Sequence, residues 1–144
     1  VSFQIWIPGN QTDPVNGNPI PWQAMSQRSK WTSSAAGRYI AWKKYIQGCW
    51  LEKYGVPYFD QRRVHQLNIH CVFKVKKKST GRCSHADPTN VRKGVEDALF
   101  GKFTQSDDQH VWGSTNFSHG IAPGVLIEIY GTEDNRLTAS PGVE

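Results

Sequence analysis

Cysteine and long apolar runs are both scarce in this chain, and each scarcity removes a class of protein. The three cysteines, Cys49, Cys71 and Cys83, are odd in number and lack the spacing of a disulfide framework, which argues against a disulfide-stapled secreted scaffold. No stretch of about 18 apolar residues occurs, so no helix can be written through a bilayer. An apolar core behind a basic leader is also missing. A soluble protein of a reducing, cytoplasmic compartment, without a membrane partner, is the expectation. Internal repeats and low-complexity tracts are absent too, which sets aside solenoids and arrays. Acidic residues are the scarcer charge, twelve against seventeen Lys and Arg, leaving a formal net charge of +5. The surplus gathers in RSK (28–30), WKK (42–44) and above all KVKKK (74–78). Such clustering suits a polyanionic partner such as nucleic acid, and it equally suits a solvated face that aids solubility.

With 144 residues and no interior linker, the chain is expected to form one domain, residues 1–144, long enough to bury a single core. The opening SFQIWI alternates Phe3, Ile5 and Ile7 against Gln4 and Trp6, a half-buried strand that stops at Pro8-Gly9. Residues 8–34 are dense in Pro, Gly, Asn, Gln and Ser and read as a long surface loop, of the kind that is either functional or disordered. AAGRYIAWKKYIQGCWLEKYG then puts Tyr39, Trp42 and Ile46 on one helical face, with Ile40 and Cys49 beside them and breakers at Gly55 and Pro57. VHQLNIHCVFKVKKK is the clearest strand: Leu67, Ile69, Cys71, Phe73 and Val75 face one way, His70, Val72 and Lys74 the other. A second helix is expected from Pro88 to about Phe100. Two more strands follow in HVWGSTNF (110–117) and GVLIEIYG (124–131), and residues 132–144 read as a flexible tail. The order strand, helix, strand, helix, strand, strand makes an α/β (α+β) fold, a mixed sheet with helices packed on it, the economical architecture.

The chemistry concentrates in SHADPTNVRKGVEDALFGKF (84–103) and the SDDQHV that comes after it. Asp87 before Pro88 is an N-cap followed by proline at the first helical position, where the missing N–H costs nothing. On the helix, Val91, Val95, Ala98 and Leu99 form an apolar stripe, while Asn90, Lys93 and Asp97 form a separate polar row. Asp107 and Asp108 open the next strand after the short connection 101–106 and can return to the helix mouth. Taken singly, each has a plain structural explanation: a cap, an exposed Lys93–Asp97 pair worth about 0.3–0.5 kcal/mol, a turn. Taken together, a capping carboxylate, a lysine on the adjacent row and a double aspartate at a strand start are what a divalent metal site for phosphodiester cleavage needs.

The combined pattern, Asp87, Asn90, Lys93, Asp97-Ala98-Leu99, Asp107-Asp108 and Val111, resembles the RusA family of Holliday junction resolvases. The likeness is tight over residues 87–111 and extends loosely to IWIPG, RYIAWKK and GVLIEIYG. It implies a mixed α/β fold, a homodimer, dependence on magnesium with manganese able to substitute, and paired cutting of four-way DNA junctions. Such a protein would be nucleoid-associated and encoded by a bacterium or a phage. By the resemblance, Asp87, Lys93 and Asp108 are the catalytic residues and Asp87, Asp107 and Asp108 hold the metal, with Thr89, Asn90 and Asp97 in support. Thr89 departs from the pattern, standing where the family usually has a second aspartate; a neutral hydroxyl is the poorer magnesium ligand. Asp97 has two open roles, partner of Lys93 or plain helix-face charge.

A four-way junction has approximate two-fold symmetry, so a C2 pair of identical sites is the simplest way to make two equivalent cuts. Arg28, Lys30, Lys43, Lys44, Lys74, Lys76, Lys77, Lys78 and Arg92 are the candidate phosphate contacts. Trp22 and Trp31 in the long loop either stack on unpaired bases at a junction centre or pack in the core or at a dimer contact. Two alternatives stand beside the nuclease. One is a junction-binding protein of the same fold that lost its metal at Thr89. The other is a zinc site drawn from His65, His70, Cys71, Cys83 and His85, against which His70 and Cys71 point to opposite faces of the strand.

Overall fold

The computed structural model describes residues 2–9, 17–22, 34–55, 59, 64–74, 76–77, 83–100 and 112–131. Alternation decides the sheet. Strand β1 is Ser2–Pro8 and β2 is Val64–Phe73, where Leu67, Ile69, Cys71 and Phe73 are buried and the intervening residues face outward. Two-residue strands β3 (Lys76–Lys77) and β4 (Cys83–Ser84) form a small antiparallel ribbon. Strands β5 (Thr115–His119) and β6 (Gly124–Gly131) complete a four-stranded mixed sheet in the order β1-β6-β2-β5. β6 runs antiparallel to both of its neighbours, with Ile127 opposite Ile5 on one side and Ile69 on the other. β5 lies parallel to β2, with Cys71 opposite Phe117. A parallel neighbour requires a crossover, and the segment between β2 and β5 contains helix α2, Pro88–Phe100.

Both helices pack on one face of this sheet, so the fold is a two-layer α+β structure. Helix α1, Ser34–Tyr54, buries Ala36, Tyr39, Trp42, Ile46 and Trp50 along one stripe. Helix α2 contributes Val91, Val95, Ala98 and Leu99 to the same core, which continues through Ile5, Ile7, Val125, Ile127 and Ile129. Each large side chain so buried stabilises the fold by roughly 1.5–3 kcal/mol before entropy is counted. Phe3, Trp50, Tyr54, Phe59 and Phe100 close one end as an aromatic cluster with ring centroids 4.9–6.4 Å apart. The outer edge of β1 is protected by the end of α1. Tyr54 Oη accepts from the Gln4 amide at 2.9 Å and donates to its carbonyl at 2.7 Å, which Lys53 also contacts at 2.6 Å. These bonds occupy the outward N–H and carbonyl of Gln4, which an added strand would otherwise pair with.

The expected order of the long strands and helices and the strands 2–8 and 124–131 stand as read, whereas the strand expected over 64–78 ends at Phe73, and Lys76–Lys77 and Cys83–Ser84 form a ribbon that was not expected. Three further details differ. HVWGSTNF was expected as a strand over 110–117, whereas β5 begins at Thr115 and extends to His119. The residues before it are held differently: the Trp112 carbonyl accepts from Leu67 N, and Gly113, at φ 150°, lies against the Leu67 carbonyl. Trp50, unassigned in the sequence reading, is a core residue with no solvent exposure. Part of the expected surface loop 8–34 is a packed strap. Pro19 is buried and Ile20 packs against the core, and Asn18 clamps the end of β2, donating to the Lys74 carbonyl at 3.0 Å and accepting from the Lys74 amide at 2.7 Å. Val75, residues 101–111 and the tail 132–144 lie outside the described residues.

Candidate functional site

Helix α2 organises the site because its first turn has four N–H groups with no partner inside the helix. Asp87 meets this need as the N-cap: its Oδ1 accepts from the Thr89 amide at 2.9 Å, and its carbonyl receives Asn90 N and Val91 N at 3.0 and 3.1 Å. The cap fixes the carboxylate at the helix mouth, exposed to solvent, with Thr89 and Asn90 exposed next to it. Lys93 is exposed on the following turn, its ammonium 3.8 Å from the centroid of the Trp22 ring. Trp22 itself hangs from the first turn of α2, its amide donating to the Asn90 carbonyl at 2.8 Å. Asp87, Thr89, Asn90 and Lys93 are therefore gathered at one end of one helix. Asp107 and Asp108 lie outside the described residues.

Two of the expected assignments are corrected here. Arg92, proposed as a phosphate contact, is 9% exposed and points into the protein. Its Nη1 donates to the Leu67 and Ser114 carbonyls at 2.7 and 3.1 Å and to Thr115 Oγ1 at 3.3 Å, and Glu96 lies 3.6 Å from its Nε. Those partners replace the water a buried guanidinium loses, so it is an anchor of α2 on the β2–β5 pair. Asp97 takes neither of its two expected roles. Its Oδ2 accepts from the Tyr39 hydroxyl at 2.7 Å and from Lys43 Nζ at 2.8 Å, joining α1 to α2. Burial, reinforced by this carboxylate, pushes the Tyr39 hydroxyl well above the usual tyrosine range. Lys43 is thereby half-buried and spoken for, its ammonium also 4.9 Å from the Tyr39 ring centroid. Lys44 and Lys74 are exposed, whereas Arg28, Lys30, Trp31, Lys78 and the side chains of Lys76 and Lys77 lie outside the described residues.

Of the histidine and cysteine set, His70 and Cys71 lie on opposite faces of the sheet, and the side chain of Cys83 lies outside the described residues. His70 Nε2 pairs with Ser118 Oγ at 2.8 Å on the face away from the helices. Cys71 is fully buried on the helix side, where burial pushes its thiol up to about 12. His85 stacks on Phe73, centroids 4.6 Å apart at 13°, with Phe117 and His119 at 5.0 and 5.2 Å. Among the described residues no three His, Cys, Asp or Glu converge as a metal-binding group. The strap that brings Trp22 to Lys93 escaped the sequence reading; the run NPIPW, with its alternating prolines, was the signal that an extended, ordered segment was present.

A mixed sheet with two helices on one face, an exposed capping aspartate and a lysine one turn further on make up a two-layer α+β domain with a charged, solvent-facing helix end. Residues 16–130 match the sequence profile of the family described as endodeoxyribonuclease RusA, and the chain belongs to that family. At the level of the family this is a nuclease fold that resolves Holliday junctions in DNA recombination and acts on branched DNA. No curated protein matches the chain. Among the described residues no helix is long and apolar enough to cross a membrane.

Proposed function

We propose that this protein is a magnesium-dependent endonuclease that resolves four-way DNA junctions by paired phosphodiester cleavage as a homodimer, in recombination and repair at the nucleoid. The observation that carries the reading is the exposed Asp87 carboxylate at the α2 mouth, beside Lys93, in a chain of the RusA family. The available donors fit a hard divalent cation: with Oδ1 engaged by the cap, Asp87 offers its second oxygen, Thr89 a hydroxyl and Asn90 an amide oxygen, all at the exposed helix end. Asp107 and Asp108 would complete the set, and manganese would serve in place of magnesium. The bound ion would supply activation of water near neutral pH and neutralisation of charge on the phosphate. Asp87 enters with its carboxylate orientation already fixed by the Thr89 amide, so little reorganisation is needed on binding. Lys93 brings a positive charge to the scissile phosphate, stabilising the transition state more than the ground state.

Lys44, Lys74 and the remaining basic segments would neutralise backbone phosphates, which makes affinity fall steeply with salt. Thr89 favours a second reading, a junction-binding protein that no longer cleaves, because a neutral hydroxyl stands at a position where a carboxylate would hold the metal. One assay separates them: cleavage of a synthetic four-way junction against matched linear duplex, with and without magnesium. Junction-selective, magnesium-dependent cutting is the expected result. Tight junction binding without cutting in magnesium or manganese would establish the second reading in its place.

A further inference from the structure

The contact between Lys93 and Trp22 is built from several directions, and it serves no part of the core. Lysine carries its ammonium on four rotatable bonds, so an exposed Lys93 left to itself would sample many positions. The strap 17–22 restricts it. At one end Asn18 bonds both the amide and the carbonyl of Lys74, as a neighbouring strand would. At the other, the Trp22 amide is tied to the Asn90 carbonyl at 2.8 Å, one turn closer than Lys93 to the Asp87 cap. Between them the strap lies against α2 at Gly94, where an added Cβ would come 3.1 Å from Tyr39 Cε1, 3.6 Å from Trp22 N and 3.7 Å from the Ile20 carbonyl oxygen. The missing side chain at Gly94 is what lets the strap come this close. The indole is thus half-buried on a fixed backbone, and the Lys93 ammonium lies 3.8 Å from its ring centroid. The negative face of an indole attracts a cation and engages only the N–H turned toward the ring.

We infer that Trp22 is a positioning residue for Lys93: it holds the ammonium at the capped end of α2 and leaves the N–H donors turned away from the ring to meet a phosphate oxygen. The inference rests on the nuclease reading for the role of Lys93, while the contact itself does not depend on it. Positioning acts on the chemical step, because a lysine already in place need not be ordered in the transition state.

The test compares the wild-type chain with Trp22→Leu and Trp22→Phe, each first checked for cooperative thermal unfolding and then assayed well below its midpoint. In magnesium-dependent junction cleavage, Trp22→Leu should lower kcat by roughly 10-fold or more with KM and junction affinity within about 2-fold, and Trp22→Phe should recover much of the loss because a smaller π face remains. Trp22→Met replaces Trp22→Leu if the latter does not fold. A second arm needs no catalysis: reductive methylation, followed by peptide mass spectrometry, should modify Lys93 faster in Trp22→Leu than in wild type while exposed Lys44 is unchanged. Unaltered kcat in Trp22→Leu, a loss confined to KM, or no recovery in Trp22→Phe would overturn the positioning role while leaving the nuclease intact. A wild-type chain that cuts no junction would remove the nuclease reading and the positioning role with it. Equal methylation of Lys93 in both chains would remove the contact itself.

Discussion

The Arg92 guanidinium lies 2.7 Å from the carbonyl oxygen of Leu67, joining helix α2 to the strand pair beneath it. The same Nη1 reaches the Ser114 carbonyl and Thr115 Oγ1, so one side chain ties together α2, β2 and the start of β5. Replacing it by methionine keeps most of the volume but takes the side-chain donor from the Leu67 carbonyl and Thr115 Oγ1, leaves the Ser114 carbonyl only the Ile69 amide, and removes the cation beside Glu96. Arg92→Met should destabilise the fold by about 3 kcal/mol, read from urea denaturation. Junction affinity measured on the folded fraction should keep its salt slope, since a guanidinium facing inward neutralises no phosphate.

Gly113 also approaches the Leu67 carbonyl. Its φ of 150° and its approach to Leu67, whose carbonyl oxygen a Cβ would run into and whose carbonyl carbon it would meet at 2.6 Å, leave no room for a side chain. Both obstacles are backbone, so relaxation would have to move β2 itself. Gly113→Ala should cost about 3 kcal/mol or more, seen as a lower denaturation midpoint with little change in m-value.

Capping and metal binding at Asp87 can be separated by chemistry. Asparagine caps a helix as well as aspartate does, whereas alanine costs about 1 kcal/mol. Asp87→Asn should therefore keep the thermal midpoint and junction affinity but lose at least about 100-fold in cleavage. Asp87→Ala should lose both cleavage and stability. Thr89→Asp adds a carboxylate at the exposed first turn, where the helix dipole favours it, and should lower the magnesium concentration needed for half-maximal cutting. Full activity in Asp87→Asn would take that carboxylate out of the metal site.

Burial at Cys71 should be visible in the response to alkali. Its thiol is pushed up to about 12, against about 8.5 for a free thiol. A raised folded value means that the stability gained by keeping it neutral is complete below about pH 8.5 and is lost as the pH rises towards 12. Cys71→Ala should flatten that part of the stability curve, in denaturation series between those limits, while costing packing at every pH. In the native protein at neutral pH, iodoacetamide should leave Cys71 unmodified until denaturant is added, because both burial and the raised value suppress the thiolate.

Local patterns were legible because the physics behind them is local. The alternation of Leu67, Ile69, Cys71 and Phe73 and the Asp87-Pro88 cap report on neighbouring residues, and both occur where the sequence indicates. Arg92 was misread for an equally physical reason: a charged residue beside Lys93 looks solvent-facing unless one knows that two carbonyls and a hydroxyl wait beneath it. Asp97 was misread likewise, because its partners Tyr39 and Lys43 are more than fifty positions away in the chain.

From residue order alone, periodicity, capping and charge established the element order, the buried stripes and the cluster of Asp87, Thr89, Asn90 and Lys93, since these depend on spacings within a few turns. Folding in three dimensions decided which polar groups became internal fasteners and that the strap carries Trp22 to Lys93. Those outcomes follow from contacts between distant segments, where desolvation must be offset by partners that no local pattern specifies.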